Sequence, residues 1–168
     1  MATRGTSTAP GEPPAERTVA GNRRVYHDYF IDETMEAGLV LTGTEVKSVR
    51  AGRVNLREAY ARIDRGEAWL WNAHISPYDY GNRFNHDPQR TRKLLLHRSQ
   101  ISRLNTQMKK KGYTLVPLRI YFSRNVAKVE LGLARGKKSF DKRDSMAERD
   151  AQRDIERALR IHASGRDR

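Results

Sequence analysis

The most regular hydrophobic pattern in the chain lies in residues 126–136, where apolar and polar positions alternate. Val129, Leu131 and Leu133 fall on one face of a strand, because successive side chains of a strand point to opposite sides. Gly132 has no Cβ, which suits a bend or the close approach of another backbone. The pattern therefore predicts a strand that completes a folded core.

Other β-favouring runs predict further strands, at residues 22–30, 39–50, 59–64, 67–75 and 113–122. Arg65 and Gly66 are predicted to form the turn of a hairpin. Pro117 is predicted to lie at a sheet edge or a bulge, because proline has no amide hydrogen to donate to a ladder. Trp69 and Trp71 are predicted to face the core, with base stacking by one of them as the alternative.

Helical signals occur in two places between these strands. Asp32 is predicted to cap a short helix that Gly38 ends. Ile101, Leu104 and Met108 recur at helical intervals and predict an amphipathic helix, which the following lysine run and glycine would end. The second of these helices is expected to pack against the sheet.

These elements together predict an α+β fold that is mainly β. About six short strands at hairpin spacing, with two or three short helices, fit a small closed antiparallel barrel of the oligonucleotide-binding (OB) type. A split βαβ sheet is the second possibility. The barrel is predicted to span residues 22–136.

The two ends of the chain differ from this central region. Residues 1–21 are rich in alanine, threonine, glycine and proline, and they are predicted to be a disordered extension. Residues 137–168 form a basic tail in which a thin apolar stripe, including Ile155 and Leu159, opposes a line of arginines. The tail is predicted to be disordered when free and helical along a phosphate-lined partner. A permanently docked terminal helix is the alternative.

Charge indicates what kind of partner the protein binds. The 168 residues include 33 Lys and Arg against 20 Asp and Glu, which gives a net charge of +13. Such an excess favours binding to a polyanion, and nucleic acid fits better than a membrane because no long apolar segment or lipidation cysteine is present. The absence of cysteine excludes disulfides and cysteine-ligated zinc.

The longest stretch without a periodic pattern is residues 76–92. Aromatic residues and arginines are interspersed in it: Tyr78, Tyr80, Arg83, Phe84, Arg90 and Arg92. This combination suits RNA, whose unstacked bases pack on aromatic rings and guanidinium planes. A solvated loop without a binding role explains the composition equally well, and both interpretations stay open at this point.

No arrangement of residues for catalysis or metal binding is visible in the sequence. The five histidines are scattered without metal-ligand spacing. The segment at residues 132–139 has glycines and lysines but not the spacing of a phosphate-binding loop, and no nucleophile motif is present. The chain is therefore expected not to be an enzyme and to need no cofactor or metal.

Several segments resemble, in the same order, the SsrA-binding protein (SmpB) family. They are NRR at 22–24 with HDY at 27–29 and MEAG at 35–38, GTEVKSVRAG at 43–52, RTRKLLLH at 90–97, LVPLRIYF at 115–122 and LARGKKSFDKR at 133–143. The resemblance covers the chain from about residue 22 to the C-terminus. A set of this length and order is highly specific.

The resemblance implies an OB-type barrel that binds the tRNA-like domain of transfer-messenger RNA (tmRNA) and delivers it to stalled ribosomes for trans-translation. The tail would enter the empty mRNA channel and reach the decoding centre in 16S rRNA, where it would become helical. Elongation factor Tu with alanyl-tmRNA would be an indirect partner. A cytoplasmic monomer is expected. The alternative is a ribosomal or initiation-type OB protein that binds rRNA directly.

The resemblance also assigns roles to individual positions. Residues implied to hold tmRNA are Asn22, Arg23, Arg24, His27, Glu36, Leu95 and Lys128. Residues implied to act in the tail on the ribosome are Lys137, Lys138, Phe140, Asp141, Lys142, Arg143, Arg149, Arg153 and Arg157. For Glu36, spacing alone favours a solvated carboxylate at a helix end, and the RNA role comes only from the resemblance.

Overall fold

A computed structural model describes residues 16–164, which contain nine strands and four α-helices. The strands are β1 (Arg17–Gly21), β2 (Tyr29–Leu39), β3 (Val54–Asn55), β4 (Tyr60–Asp64), β5 (Glu67–Trp71), β6 (His74–Ile75), β7 (Arg92–Leu95), β8 (Tyr113–Ser123) and β9 (Val126–Gly136). The helices are α1 (Arg23–Asp28), α2 (Gly43–Arg50), α3 (Arg98–Met108) and α4 (Ser139–Ser164), with a 3-10 turn at Asn82–Phe84.

Six of the strands form a closed antiparallel barrel. They pair in the order β8-β4-β5-β7-β2-β9, and β9 pairs with β8 to close the ring. The edge of β8 away from β9 meets β4 at Leu115 and then β1, where Arg17 pairs with Phe122. The predicted class, a mainly β α+β fold with a closed OB-like barrel of about six strands, is confirmed.

The core lies inside this ring and is built by the strands whose alternation is strongest. Val129, Leu131 and Leu133 of β9 are at most 3% exposed, as predicted. Gly132 points to the outer side, where an added Cβ would lie 3.1 Å from Leu118 Cδ2 and 3.2 Å from Ile31 Cγ2. The neighbours of Gly132 are therefore side chains, and the predicted approach of another backbone stays a prediction.

Local turn chemistry sets the hairpins. Arg65 and Gly66 have φ angles of 49° and 78° between β4 and β5, and Arg124 and Asn125 have 48° and 63° between β8 and β9. Two consecutive positive φ angles match the right-handed twist of the flanking strands. The register between β8 and β9 shifts after Pro117, so the predicted bulge is also confirmed.

The helix predicted from Ile101, Leu104 and Met108 is confirmed as α3, in which Leu104 is 1% exposed within the core. It begins after His97, whose backbone amide donates to Gln100 Oε1 at 2.9 Å. That hydrogen bond satisfies one of the amides that a helix start leaves without a partner. Helix α3 packs beside the strands β4 and β8.

Two segments before the first hairpin differ from the predictions. Of the strand predicted over residues 22–30, only Tyr29 and Phe30 lie in a strand, at the start of β2. Helix α1 occupies 23–28 and packs Val25 against Val116 and Leu118 on the outside of the barrel. The short helix predicted between Asp32 and Gly38 is also wrong. These residues belong to β2, which pairs with β9 from Tyr29 to Gly38, so ladder formation overrides the local helix signal.

The strand predicted over residues 39–50 is wrong beyond residue 39. Helix α2 starts after Thr42, whose backbone amide donates to Glu45 Oε2 at 2.7 Å. This threonine and glutamate at N-cap and N3 form a capping box, which outweighs the β preference of Val46 and Val49. Val49 becomes fully buried against the core.

Trp69 and Trp71 do not face the core, contrary to the prediction. Ala68 and Leu70 are fully buried, so the alternating tryptophans lie on the outer face. Asn72 has a φ of 55° and interrupts the alternation after β5, which is why the residues that follow it return to the core. A single left-handed residue thus changed the phase of the pattern.

Both ends of the described chain form regular secondary structure. Residues 17–21 form β1 rather than part of a disordered extension, because their backbone pairs with β8. Of the rest of the predicted extension, Glu16 is described and belongs to no helix or strand, and residues 1–15 lie outside the described part of the chain. The C-terminal segment is helical over Ser139–Ser164. That it becomes ordered only on its partner stays a prediction.

Candidate nucleic-acid interface

Glu36, Leu95 and Lys128 line one groove on the barrel. Gly38 of β2 pairs with Leu95 of β7 on one side and with Lys128 of β9 on the other, which brings the three strands together. The groove has a volume of about 880 Å³, and α3 contributes Arg98 and other residues to its wall. The structure thus unites three residues that are far apart in the sequence.

The Glu36 carboxylate is held in place by two donors. Lys128 Nζ donates to Oε1 and the Tyr121 hydroxyl donates to Oε2. The hydrogen bond from Lys128, followed by that from Tyr121, lowers the pKa of Glu36 below its ordinary value. Burial and the hydrogen bond to Glu36 raise the pKa of Tyr121. At neutral pH the groove therefore contains an ionised carboxylate with a fixed orientation.

Tyr121 is a site residue that the sequence analysis missed. It lies next to the buried Ile120 on β8, but nothing in the sequence connects it with Glu36, 85 residues earlier. Tyr121 is only 3% exposed and contacts the Arg119 guanidinium at 4.6 Å from its ring centroid. Tyr121 therefore orients the Glu36 carboxylate through this hydrogen bond and does not itself line the groove.

The remaining groove chemistry is apolar and cationic. The side chain of Leu95 is 55% exposed, which leaves a leucine available for contact with a flat apolar ligand. Lys93, Arg98 and Arg103 line the same groove, and Arg103 pairs with Glu33 at 2.7 Å. An apolar contact, several cations and the carboxylates of Glu33, Glu36 and Glu67 line the groove. This combination suits a nucleotide, which has a hydrophobic base, a phosphate and hydrogen-bond donors.

The other predicted RNA residues lie at the far end of β2. Helix α1 contains Arg23, Arg24 and His27 and ends eight residues before Glu36, which corresponds to about 26 Å along a strand. Arg23 and Arg24 line a second groove of about 750 Å³ together with Arg57 and Arg119. The structure therefore does not bring these residues into the Glu36 groove.

Asn22, which the resemblance implies as a residue that holds tmRNA, has a buried side chain. It is 4% exposed, and its side-chain amide donates to Leu56 O at 2.8 Å and to Pro117 O at 3.4 Å. These bonds attach the start of helix α1 to the barrel. Asn22 therefore positions α1, and the exposed residues of α1 are the ones that a ligand can reach.

Asp28, at the end of α1, connects the barrel with the tail. Its carboxylate lies 2.9 Å from His27 Nδ1, 3.2 Å from Arg24 Nε and 3.4 Å from Lys142 Nζ. The hydrogen bond with His27 and the interaction with Lys142 lower the pKa of Asp28. The backbone amide of Lys137 donates to Asp28 O at 2.9 Å, so the tail leaves the barrel at this residue.

The Tyr26 carbonyl provides a second attachment for the tail. It accepts hydrogen bonds from Lys137 Nζ at 3.1 Å and from Arg149 Nη2 at 2.9 Å. Cations are favoured there, because the carbonyls at the end of a helix are negative. The first turns of α4 are therefore fixed to α1.

Beyond these first turns, α4 is surrounded by solvent. Every side chain from 146 to 160 is exposed, and Leu159 of the apolar stripe is 64% exposed. Arg153 pairs with Asp150 at 3.6 Å and Arg157 with Asp154 at 3.8 Å along the helix surface. Lys138 N donates to the side chain of Asp141 at 3.0 Å, which stabilises the helix start. The Phe140 side chain lies outside the described part of the chain.

Two arginines of residues 76–92, for which an RNA role and a solvated loop were equally favoured, have a structural role. Arg92 is fully buried, and its Nε donates to Glu45 Oε1 at 2.8 Å, while Arg90 Nη2 donates to Glu45 Oε2 at 2.6 Å. Burial alone would raise the pKa of Glu45, but the bonds from Arg90 and Thr42 N and the Arg92 charge lower it to about 2. Tyr80 and Phe84 of this loop remain more than 80% exposed.

Neither a metal site nor a membrane-spanning helix is found among residues 16–164. In this part of the chain, no group of three or more histidine or acidic residues is placed to hold a metal ion. Within the same residues, no helix has the length and apolar character that crossing a membrane requires.

The chain is similar to known proteins over most of its length. The family model described as SmpB protein matches residues 19–161. The SsrA-binding protein of Carboxydothermus hydrogenoformans is 62% identical over 145 residues, covering 86% of this chain and 97% of the relative. The SsrA-binding protein of a Roseiflexus species is 63% identical over 146 residues, covering 86% and 92%.

A solved structure agrees with the sequence comparisons. It is described as "tmRNA-SmpB: a journey to the center of the bacterial ribosome", and its matching chain is 53% identical with a TM-score of 0.61. The match covers 76% of this chain and 87% of the other. The closed barrel, the Glu36 groove and these matches together show that the chain belongs to the SmpB family of SsrA-binding proteins.

Proposed function

We propose that this protein is a non-enzymatic RNA-binding adaptor that binds the tRNA-like domain of tmRNA and delivers it to stalled ribosomes for trans-translation. The observation that carries the proposal is the convergence of Glu36, Leu95 and Lys128 in one groove. The family membership and the ribosome complex of a 53% identical chain support it. The protein then acts in the cytoplasm, where translating ribosomes are.

The Glu36 groove is the proposed tmRNA site. Lys128 and Lys93 would face phosphates, Leu95 would contact an unstacked base, and Glu36 would accept hydrogen bonds from base or ribose donors. In the second groove, Arg23 and Arg24 would contribute phosphate contacts farther along the same RNA. The barrel unit of this proposal ends with β9 at Gly136.

The tail from residue 137 is the proposed ribosome probe. Its cations would follow the phosphates of the empty mRNA channel and decoding centre, because α4 beyond its first turns extends into solvent with Arg153 and Arg157 exposed. These residues are Lys137, Lys138, Lys142, Arg143, Arg149, Arg153 and Arg157, with Phe140 and Asp141 at the helix start. Elongation factor Tu with alanyl-tmRNA would join this complex through the RNA.

Binding to the isolated tRNA-like domain tests the groove. Lys128→Ala and Leu95→Ala are expected to weaken the complex about tenfold in gel-shift titrations, and Lys128→Ala should also reduce the slope of log affinity against log salt by about one. Val126→Ala, which removes an exposed apolar side chain outside the groove, is the matched control. Equal affinity of the control and the groove variants would refute this site.

A tagging assay on ribosomes stalled without downstream mRNA tests the tail. Replacing Lys142 and Arg143 with alanine in the full-length protein should abolish tagging while leaving affinity for the tRNA-like domain within about twofold. The reason is that these cations lie on α4, away from the groove. Loss of tmRNA affinity in this variant would contradict the proposed division between barrel and tail.

A further inference from the structure

Both tryptophans of the chain lie on one outer face of the barrel. Ala68 and Leu70 of β5 point into the core, so Trp69 is half-buried and Trp71 is 37% exposed on the opposite side. Tryptophan is enriched at interfaces, and adjacent exposed apolar side chains indicate an interaction site more strongly than single ones do. The proposed function of the Glu36 groove does not explain this pair.

The surrounding residues form an ordered platform. Tyr60 of β4 pairs with Trp71, and their rings are stacked with centroids 6.5 Å apart and an interplanar angle of 9°. Trp69 lies between Arg62 of β4 and Lys93 of β7, and Lys93 Nζ is 5.8 Å from its ring centroid. We call these five residues the aromatic face.

The aromatic face is continuous with the Glu36 groove. Lys93 belongs to both, since it lines the groove and also lies over Trp69. Leu95 is two residues farther along β7, so its side chain points to the same side as that of Lys93. Two acidic residues at the hairpin tip, Asp64 and Glu67, lie beside this path, and Glu67 pairs with Lys93.

We propose that the aromatic face binds unpaired nucleotides of the RNA that occupies the Glu36 groove. Bases stack on Trp71 and on the exposed part of Trp69, and the neighbouring phosphates face Arg62 and Lys93. Base stacking on aromatic rings tolerates any base, while the cations give affinity for the backbone. This inference rests on the proposed function, because it extends the same RNA across the barrel surface.

Tryptophan fluorescence reports directly on this contact. The chain contains only these two indoles, and a base stacked on an indole quenches its emission. Titration of the full-length protein with the tRNA-like domain of tmRNA is expected to quench the signal at the same concentrations that give the gel shift. Trp69→Phe and Trp71→Phe each leave one indole, and the larger quench should belong to Trp71.

Substitutions separate stacking from folding. Trp71→Val keeps the β preference of the position but removes the ring, and it should weaken RNA binding about tenfold. Trp71→Phe should stay within about threefold of the unmodified protein, since a phenyl ring also stacks. Val126→Ala serves again as the exposed apolar control, and thermal unfolding checks that each variant is folded.

The outcomes distinguish this inference from the proposed function. Quenching together with the expected order of affinities, Trp71→Phe above Trp71→Val, supports the aromatic face. If Lys128→Ala loses affinity while Trp71→Val does not and no quenching occurs, the aromatic face is refuted and the groove remains. If the unmodified protein does not bind the tRNA-like domain, the proposed function itself fails, and the inference fails with it.

Discussion

Replacing Glu45 with glutamine tests whether the buried ion network holds the loop at residues 76–92 and helix α2 together. Glu45 and Arg92 are fully buried, and the two carboxylate oxygens accept four hydrogen bonds, from Arg90, Arg92 and the Thr42 amide. Arg92 also donates to Ala73 O at 2.6 Å. Glutamine keeps the shape of Glu45 but leaves the buried Arg92 charge without its counter-ion.

The loss of folding free energy expected for Glu45→Gln follows from the pKa of Glu45. The contacts lower this pKa from 4.5 to about 2, and a difference of that size corresponds to about 3 kcal/mol of folding free energy. Removing one partner of a buried ion pair destabilises proteins by a similar amount, about 3–5 kcal/mol. Because the folded-state pKa is depressed, the stabilisation is complete above about pH 5 and decreases as the pH falls toward 2.

Urea unfolding at pH 7 and at pH 3 measures this effect. Glu45→Gln should lose about 3 kcal/mol at pH 7, and the difference from the unmodified protein should be roughly halved at pH 3. Glu58→Gln is the matched control, because Glu58 faces Arg24 at 3.7 Å on the surface and contributes less than about 1 kcal/mol. A Glu45→Gln variant that is as stable as the control at pH 7, or equally impaired at both pH values, would refute the reasoning.

Three further predictions concern other contacts. Tyr121→Phe removes the hydroxyl that orients Glu36, so RNA affinity in gel shifts should fall about threefold. The Glu36 pKa measured by NMR should rise toward its ordinary value, and an unchanged pKa would contradict the assigned contact. Gly132→Ala should destabilise the barrel by about 1–3 kcal/mol in urea because of side chains 3.1–3.2 Å from the added Cβ, whereas Gly136→Ala, with open space, should be tolerated. Asp28→Asn should accelerate amide hydrogen exchange in the first turns of α4 at pH 7 about threefold, and unchanged exchange would show that this carboxylate does not hold the tail.

The features predicted correctly from sequence are those that short-range chemistry determines. The turn at Arg65 and Gly66, the bulge at Pro117 and the helix around Leu104 each depend on residues within a few positions. The barrel class followed from counting such elements. In contrast, residues 32–38 were predicted as a helix because the capping signal was local, whereas the β9 ladder that makes them a strand is almost one hundred residues away.

The candidate site was harder to predict from the sequence, because its contacts also join residues that are far apart along the chain. Spacing around Glu36 indicated only a solvated carboxylate, and its RNA role came from the family resemblance. Its two donors, Tyr121 and Lys128, are 85 and 92 residues farther along the chain. The tryptophans were assigned to the wrong face because the left-handed Asn72 changes the phase of alternation after β5, and asparagine at a strand end is too weak a signal to reveal that.

The pairing of β2 with β9 sets the distance between the two proposed contacts with RNA. Gly38 pairs with Lys128 at the groove, and Tyr29 pairs with Gly136 where the tail begins, so nine residues of β2 separate them along a ladder whose register shifts between Ile31 and Glu33. This corresponds to about 30 Å, several times the Debye length of about 8 Å at physiological salt. A charge on the tail therefore has little direct effect on phosphate binding in the groove. Because the charges are screened over this distance, loss of the proposed tail contact should leave binding in the Glu36 groove intact, and the barrel would then hold one RNA while its tail examines a second.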